Sequence, residues 1–391
     1  VRCTQHHVNI EPSGIEPSGS LRFATSMNSL NPGVALHNPF ERYRARTLLV
    51  CRSVHHLVRR SVYCSVYCSV HMLPLVLLMF VSMPVAHADD FAAWMQGLRA
   101  EARAAGISKA TLDAALTDIE LIPRVVELDR SQPEFKMTLD RYLGQFVSSS
   151  RQATAAQKLV EHAELLDAVS KKYGVQKRYI VTFWGIETSF GKYLGSFNVP
   201  QALVTLAYDG RRSAYFRKEL LNALRIIDGG HISADRMRGS WAGAMGQSQF
   251  MPSSFLNYAE DWDGDGRRDI WGTTADVFAS TANYLAKAGW RDDMTWGREV
   301  RIPSDLVISN IGATKLSSSK KRLTLPDWQK AGVRNKDGSA LPTRPLRARL
   351  VLPDGIGGRA FLVYSNFDSI LRWNRSNYYA IAVGSLSDTL R

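Results

Sequence analysis

Apolar residues recur at the 3.6-residue spacing of an α-helix through most of the stretch between residues 91 and 288. This periodicity predicts amphipathic helices that must each bury one face. The predicted helices are Phe91–Ala104, Leu112–Leu116, Phe135–Phe146, Leu159–Tyr173, Tyr179–Phe190, Tyr215–Ile227, Pro252–Tyr258 and Thr274–Ala288. The pattern lacks a strand–helix–strand rhythm and therefore excludes a Rossmann-type nucleotide fold.

Beyond about residue 298 the pattern changes to short β-branched or alternating segments separated by Gly and Pro. Strands are expected at Glu299–Ile302, Arg347–Leu352 and Ala360–Tyr364, followed by a closing helix at Tyr378–Leu386. The expected fold class is α+β, helix-dominated, with an extra helical region and a small β-containing C-terminal part. The expected parts are 89–150 (helical), 151–297 (core) and 298–391 (small β part and closing helix).

The first 88 residues do not read as part of this fold. Residues 1–71 lack helix caps and sustained periodicity, which predicts a disordered extension or a mis-assigned start. Residues 72–88 contain the run LPLVLLMFV and end in Ala86-His87-Ala88, which predicts a signal peptide cleaved after Ala88 and a periplasmic protein. An uncleaved inner-membrane anchor is the alternative. No lipid anchor is expected, because Cys68 precedes the apolar run.

Composition excludes several classes of site. All four cysteines precede residue 88, and only His162 and His231 follow it, so a Cys/His zinc site and disulfides are excluded there. The formal charge of +13 is spread along the chain without a basic block, which argues against nucleic acid as a partner.

One glutamate lies among bulky apolar residues. On the predicted helix, Phe183 and Trp184 lie one turn before Glu187, and Phe190 lies one turn after it. Desolvation there would raise the pKa of Glu187 and let it hold a proton near neutral pH, as a general acid acting on a glycosidic oxygen must. A glutamate on the polar face of an amphipathic helix is the alternative.

A second segment, residues 239–254, has the sequence GSWAGAMGQSQFMPSS. Its small residues allow a ligand to approach the backbone, and its amides and hydroxyls suit hydroxyl-rich ligands. A Gly-rich helix packing seam would show the same composition. Together with the Glu187 segment, it predicts a sugar cleft.

The pair GIETSFG and SWAGAMGQSQFMPSS, followed by YAEDWDGDG, closely resembles B-type lytic murein transglycosylases, the membrane-bound lytic transglycosylase B family. The resemblance extends to Arg211-Arg212, Ala282–Tyr284 and Trp373–Tyr379. It implies a lysozyme-like core that binds peptidoglycan glycan strands as a monomer. The implied reaction cleaves the β-1,4 bond between MurNAc and GlcNAc without water and forms 1,6-anhydro-MurNAc. Glu187 would act as acid and then base, and the chemistry would need no cofactor.

The resemblance also implies roles for individual positions. Ser240 and Asn374 would contact the sugar at the scissile bond, and Gln249 would orient Glu187. The implied partners of the substrate's peptide or muramyl carboxylates are Arg211 and Arg212. The implied cleft lining is Tyr142, Tyr284 and Tyr379, for which core packing is the alternative.

The reaction type rests on the number of carboxylates in the cleft. Hydrolytic glycosidases use two carboxylates, and the two cleft motifs offer only Glu187. Asp209, Glu219 and Asp228 are candidates for a second acid that sequence does not place. A hydrolytic muramidase therefore stays the alternative, as does a non-catalytic peptidoglycan-binding scaffold.

An aspartate-rich loop follows the second motif. Asp261, Asp263, Asp265, the carbonyl of Arg267 and Asp269 match EF-hand spacing, but Gly272 stands where a bidentate Glu closes the loop. The resemblance implies a longer loop closed by a later acid, for which Asp276 is the candidate. One structural Ca²⁺ is therefore expected, and a turn held by its own Asp side chains is the alternative.

Overall fold

The computed structural model describes residues 86–131, 137–303 and 321–391. Most of these residues are helical, and the larger sheet lies after residue 296. The helices are α1 (Ala86–Ala104), α2 (Lys109–Leu116), α3 (Pro123–Arg130), α4 (Leu139–Phe146), α5 (Ser149–Glu161), α6 (Ala163–Tyr173), α7 (Lys177–Thr188), α8 (Val199–Asp209), α9 (Ser213–Asp228), α10 (Pro252–Tyr258), α11 (Thr274–Lys287), α12 (Leu325–Lys330), α13 (Ser365–Trp373) and α14 (Asn377–Asp388). The strands are β1 (Phe197–Asn198), β2 (Arg238–Gly239), β3 (Gly297–Arg301), β4 (Leu323–Thr324), β5 (Arg334–Asn335), β6 (Arg347–Val351) and β7 (Ala360–Val363).

Helix α7 forms the centre of the helical part. Nine of its twelve residues are buried, among them Tyr179, Phe183 and Trp184. Aromatic and β-branched residues of this kind are weak helix formers, so packing rather than intrinsic propensity stabilises the helix. It packs against α5, α6, α11 and α14. This places the end of α7, which carries the sequence-predicted acid, where several elements meet.

The C-terminal part contains a five-stranded antiparallel sheet in the order β4-β6-β7-β3-β5. In its register Val300 of β3 lies opposite Ala360 of β7. A separate apolar core beneath the sheet is built around Trp328 of α12, whose Nε1 donates to the carbonyl of Ala348 at 3.0 Å. Helix α14 then returns to the helical part and packs against α4 and α7.

The prediction of one continuous helix over Leu159–Tyr173 is wrong. The structure divides that region between α5 and α6 at His162, which has non-helical angles of φ −111° and ψ 25°. The His162 ring packs edge-on against Trp184 and Phe278, with centroid distances of 5.6 and 5.4 Å. The helix break therefore lies where the His162 ring packs against residues distant in sequence, and the local apolar periodicity does not reveal it.

Sequence analysis also missed α3, α8, α12 and α13, and ten of the thirteen residues of α5. Eight of the eleven residues of α8 are buried. Helix α7, which was predicted, is buried to the same degree, with nine of twelve residues, so burial alone does not account for the missed helix.

The predicted fold class, helix-dominated α+β, is confirmed. The described residues from Ala93 to Arg391 belong to one compact unit, and the internal boundaries at residues 150 and 297 stay predictions. The predictions for residues 1–71 and for a signal peptide at 72–88 fall outside the described residues, apart from the backbone of the last three. Within the described ranges, no helix has the length and apolarity needed to cross a membrane.

Candidate active site

The last turn of α7 presents Glu187 at a sharp change of chain direction. Ser189, Phe190 and Gly191 all have left-handed backbone, with φ of 51°, 63° and 80°. This conformation is costly for the two residues that carry a Cβ. The turn folds the Phe190 ring back onto Gly185, where a Cβ would lie only 2.6 Å from the ring. Glycine at position 185 is therefore what allows the GIETSFG turn to close.

The buried amide of Gln247 joins this turn to the second motif. Its Oε1 accepts from Nε1 of Trp184 at 2.7 Å, and its Nε2 donates to the carbonyl of Trp271 at 2.9 Å. The hydroxyl of Thr188 donates to the Gln247 carbonyl at 3.1 Å. Sequence analysis did not single out Gln247. An amide within a glycine-rich apolar segment was the available signal.

The carboxylate of Glu187 is partly buried and accepts two hydrogen bonds on one oxygen. Nε1 of Trp373 donates to Oε1 at 2.8 Å, and the hydroxyl of Tyr379 donates to the same oxygen. Tyr379 is fully buried, and burial followed by the charge of Glu187 raises its pKa well above 10. Tyr379 therefore stays neutral and acts as a hydrogen-bond donor at physiological pH.

The tyrosines predicted to line the cleft have different environments. Tyr379 contacts Glu187 directly, as described above. Tyr142 is partly exposed, and its ring lies 5.7 Å from that of Tyr378. Tyr284 is 4% exposed, donates its hydroxyl to the carbonyl of Arg372 at 2.7 Å and packs against Trp373 at 4.7 Å. Tyr284 thus supports the wall of the site.

Ser240 and Asn374 are both buried near chain turns. The hydroxyl of Ser240 accepts from the backbone N–H of Ala244 at 3.0 Å and so closes the loop of the second motif. Asn374 caps the end of α13, and its Oδ1 accepts from the N–H of Ser376 at 3.1 Å. Each polar group is thereby fixed in direction before any ligand binds.

In the structure the Gln249 amide donates to backbone carbonyls, and its role in orienting Glu187 stays a prediction. This residue has left-handed backbone with φ of 47°, and its Nε2 donates to the carbonyls of Leu194 and Gly246 at 3.1 and 3.0 Å. Trp373 and Tyr379 both donate hydrogen bonds to the Glu187 carboxylate. Gln249 holds the loop after α7 against the second motif. Sequence alone does not show which of several nearby donors reaches a carboxylate.

Arg211 and Arg212 have a protein carboxylate between them. Nε of Arg211 donates to Oδ2 of Asp129 at 2.5 Å, and Nη2 of Arg212 donates to Oδ1. Asp129 is 2% exposed and lies near the end of α3, a helix that sequence analysis missed. Arg211 and Arg212 therefore form a structural ion-pair triad with Asp129, and this role is the alternative to their predicted binding of substrate carboxylates.

The three candidates for a second acid are engaged elsewhere. Asp209 forms an ion pair with Arg130 at 2.6 Å. Glu219 is buried and accepts from the backbone N–H and the hydroxyl of Ser253 at 2.8 and 2.7 Å, which caps the start of α10. Asp228 accepts from the hydroxyl of Thr111 at 2.7 Å. All three serve to join secondary-structure elements.

In the aspartate loop, carboxylate oxygens of Asp261, Asp263 and Asp276 lie within 4.8 Å of one another. Asp276 is fully buried, and burial, together with the charges of Asp263 and Asp261, raises its pKa despite two backbone N–H donors. Asp265 lies outside this group and pairs with Arg267 at 3.0 Å. The structure therefore brings together three of the predicted ligands.

The chain is similar to lytic transglycosylases in sequence and in fold. Residues 90–388 match the model of the transglycosylase SLT domain. Membrane-bound lytic murein transglycosylase B of Escherichia coli (strain K12) is 31% identical over 257 residues, 64% of this chain and 66% of that protein.

Solved structures agree with this match. The crystal structure of SltB3 from Pseudomonas aeruginosa in complex with NAG-anhNAM-pentapeptide has 42% identity and a TM-score of 0.72, covering 77% of this chain and 79% of that one. Lytic transglycosylase Slt35 of Escherichia coli in complex with calcium has 26% identity and a TM-score of 0.64, covering 78% and 92%.

Proposed function

This chain belongs to the transglycosylase SLT family, and we propose that it cleaves the β-1,4 bond between MurNAc and GlcNAc in peptidoglycan without water, leaving a 1,6-anhydro-MurNAc end. The observation that carries this proposal is the Glu187 carboxylate, which Trp373 and Tyr379 hold at the end of a buried helix. The similarity to SltB3, whose crystal structure contains NAG-anhNAM-pentapeptide, supports the same substrate class.

In the proposed reaction Glu187 acts twice. As the neutral acid it gives its proton to the glycosidic oxygen while the bond from that oxygen to the anomeric carbon breaks. The carboxylate then takes the proton of the sugar's own C6 hydroxyl, whose oxygen forms the new bond to the anomeric carbon. The enzyme returns to its starting state, and no water is consumed.

The positions of other acids favour this route over hydrolysis. A hydrolytic glycosidase needs a second carboxylate beside the bond to bind water or to act as nucleophile. Asp209, Glu219 and Asp228 each hold a structural partner instead. A single carboxylate suffices when the nucleophile belongs to the substrate.

We assign substrate contacts to the polar groups that line the turn segments. Ser240 and Asn374 are fixed by backbone bonds and would contact the sugar at the scissile bond. Tyr142 is partly exposed and would lie along the glycan strand. Conservative substitution at these positions tests the roles. We expect each variant to lose turnover while its Tm stays unchanged.

Product analysis tests the reaction type. We expect purified sacculi treated with the protein to release muropeptides that are lighter by one water than the hydrolytic products, as measured by mass spectrometry. Glu187→Gln should abolish release at an unchanged Tm, because an amide cannot supply the proton. Asp209→Asn, the same acid-to-amide change at a structural carboxylate, should keep the activity. Products with reducing ends would show a hydrolytic muramidase, and the absence of any release would indicate a binding scaffold.

We further propose that the aspartate loop holds one Ca²⁺. Three carboxylates converge there, and the buried Asp276 faces the charges of Asp261 and Asp263. A divalent cation would offset their mutual repulsion, and oxygen ligands suit calcium. The calcium complex of the similar Slt35 supports the choice of ion. The ion would stabilise the loop between α10 and α11 and take no part in the reaction.

We also propose that the protein acts outside the cytoplasmic membrane, where its substrate lies. The similarity to a membrane-bound murein transglycosylase of Escherichia coli supports a cell-wall location. The export signal predicted at residues 72–88 would deliver the chain there. Detection of the cleaved chain in a periplasmic extract is the test, and retention in the cytoplasm would contradict it.

A further inference from the structure

Arg151 lies beside the turn that carries Glu187. It belongs to the first turn of α5, which packs against α7. Its Nη2 donates to the hydroxyl of Ser189 at 3.2 Å, and its Nη1 donates to the carbonyl of Gln145 at 2.9 Å. The guanidinium also lies over the ring of Phe146, 5.5 Å from the ring centroid. These contacts hold the side chain in one place.

The guanidinium of Arg151 has no carboxylate partner among the described residues, and both of its hydrogen bonds go to neutral oxygens. Burial lowers the pKa of Arg151, whereas the hydrogen bond with the Glu299 carboxylate raises the pKa of Arg359. A guanidinium keeps its charge in proteins, and a partly buried charge is costly until a counter-charge meets it. An anion placed beside Arg151 would therefore be stabilised.

Tyr142 connects Arg151 to the surroundings of Glu187. The phenol of Tyr142 is close enough to Arg151 for its negative form to raise the pKa of the guanidinium. The same phenol contributes to the raised pKa of Tyr379, whose hydroxyl donates to Glu187. Tyr142 is partly exposed, and we assign it a place along the glycan strand. Arg151 therefore lies at the edge of the region where the proposed substrate would bind.

We propose that Arg151 binds a carboxylate of the peptidoglycan substrate, either on the muramyl side chain or on the peptide attached to it. The inference rests on the proposed function, which supplies this substrate. Two N–H groups of the guanidinium hold it in place, and its remaining N–H groups can donate to the oxygens of a carboxylate. A donor fixed in this way loses little freedom when the ligand binds.

The two arginines first predicted to meet substrate carboxylates already share one from the protein. Arg211 and Arg212 both pair with the buried Asp129. A substrate carboxylate would have to compete with Asp129 at that place. At Arg151 it would meet a cation whose partners among the described residues are neutral.

The test is the Kd of three substrate fragments, measured by isothermal titration calorimetry in the Glu187→Gln protein, which should not turn them over. The first probe is NAG-NAM-pentapeptide, the compound present in a crystal structure of SltB3. The second probe is the same disaccharide after an amidase has removed the peptide, so that the muramyl carboxylate is free. In the third probe, every carboxylate of the first is converted to an amide.

We expect the further change Arg151→Gln to raise the Kd of the first or the second probe at least about tenfold, because it removes charge-assisted hydrogen bonds. An effect on the first probe assigns the peptide carboxylates, and an effect on the second assigns the muramyl carboxylate. The amidated probe should bind equally well with and without the change. Arg151→Lys keeps the charge but not the forked geometry, so it should weaken the same probes by less.

Arg334→Gln is the matched control. Arg334 is also partly buried, and its Nη1 donates to the carbonyls of Gln329 and Val333, both at 2.9 Å. It lies on strand β5 of the C-terminal sheet. The control therefore removes a guanidinium that also bonds to neutral oxygens, and we expect all three Kd values to stay unchanged.

Equal weakening of all three probes in Arg151→Gln would overturn the proposal, because a purely structural role through Ser189 cannot distinguish a carboxylate from an amide. Unchanged Kd values would overturn it as well. If Arg151→Gln does not fold, Arg151→Lys provides the same comparison between the first two probes and the amidated one. Failure of the proposed function would appear separately, in the masses of the sacculus products or as turnover by Glu187→Gln.

Discussion

Replacing Asp129 distinguishes a structural from a substrate-binding role for Arg211 and Arg212. In Asp129→Asn both guanidinium groups lose the carboxylate that they share. Asp129 is 2% exposed, whereas the Arg211 and Arg212 side chains are 48% and 22% exposed. Breaking a buried ion pair lowers the free energy of unfolding by about 3 to 5 kcal/mol. Because solvent screens the half-exposed Arg211, the loss at this site should lie near the lower end of that range. We expect a loss of about 3 kcal/mol.

The corresponding fall in Tm is about 6 °C, at roughly 2 °C per kcal/mol for a chain of this size. Differential scanning fluorimetry measures it, and sacculus digestion well below Tm should keep kcat/KM within about twofold of the unaltered protein. Asp209→Asn is the control, because its partner Arg130 is 64% exposed and such pairs contribute about 0 to 1 kcal/mol.

The effect also has a pH signature. Burial opposes ionisation of Asp129, but the bonds from Arg211 and Arg212 outweigh burial and lower its pKa below 3.8. A carboxylate whose pKa is lowered in the folded state stabilises the fold fully at pH values above its ordinary pKa. This stabilisation disappears as the pH falls through the lowered pKa. The difference in Tm between the two proteins should therefore shrink below pH 3.8. An unchanged Tm in Asp129→Asn, with a raised KM in Arg211→Ala, would refute the structural reading.

Three further predictions concern stability. Gly195→Ala should lower the free energy of unfolding, measured in urea, by more than about 3 kcal/mol, because the new Cβ would lie 2.1 Å from a carbonyl oxygen. Gly210→Ala is the control: its Cβ would have nothing within 4 Å, so only backbone strain of about 1 to 2 kcal/mol is expected. Equal losses in the two variants would contradict this prediction. Burial is the main cause that lowers the pKa of His231, and the Nδ1 of His231 accepts a hydrogen bond from a backbone N–H. The unfolded chain therefore binds the proton more readily, so Tm should fall as the pH drops below 6.5, and His231→Asn should make Tm less dependent on pH in that range. An unchanged dependence of Tm on pH in His231→Asn would show that His231 has no role in it. Calcium at a hundredfold excess over its Kd should stabilise the metal-stripped protein by about 2.7 kcal/mol, and Asp263→Ala should remove the response; a calcium-independent Tm would reduce the loop to a turn.

Local patterns in the sequence determined the fold class and singled out Glu187 as the candidate acid. The 3.6-residue spacing reports burial of one helix face, so it located amphipathic helices such as α9, but it did not reveal α8. The GIETSFG segment identified Glu187 because its bulky neighbours lie within one helical turn. Both inferences use interactions between residues close in sequence, which a sequence displays directly.

Only the tertiary structure decided which groups meet Glu187. Its donors, Trp373 and Tyr379, lie 186 and 192 residues further along the chain. Arg211 likewise found its partner 82 residues away, in Asp129 on a helix that the pattern did not reveal. A sequence shows which side chains can donate or accept, but the pairing of distant groups depends on how helices pack, and that is set by the shapes of many buried side chains together.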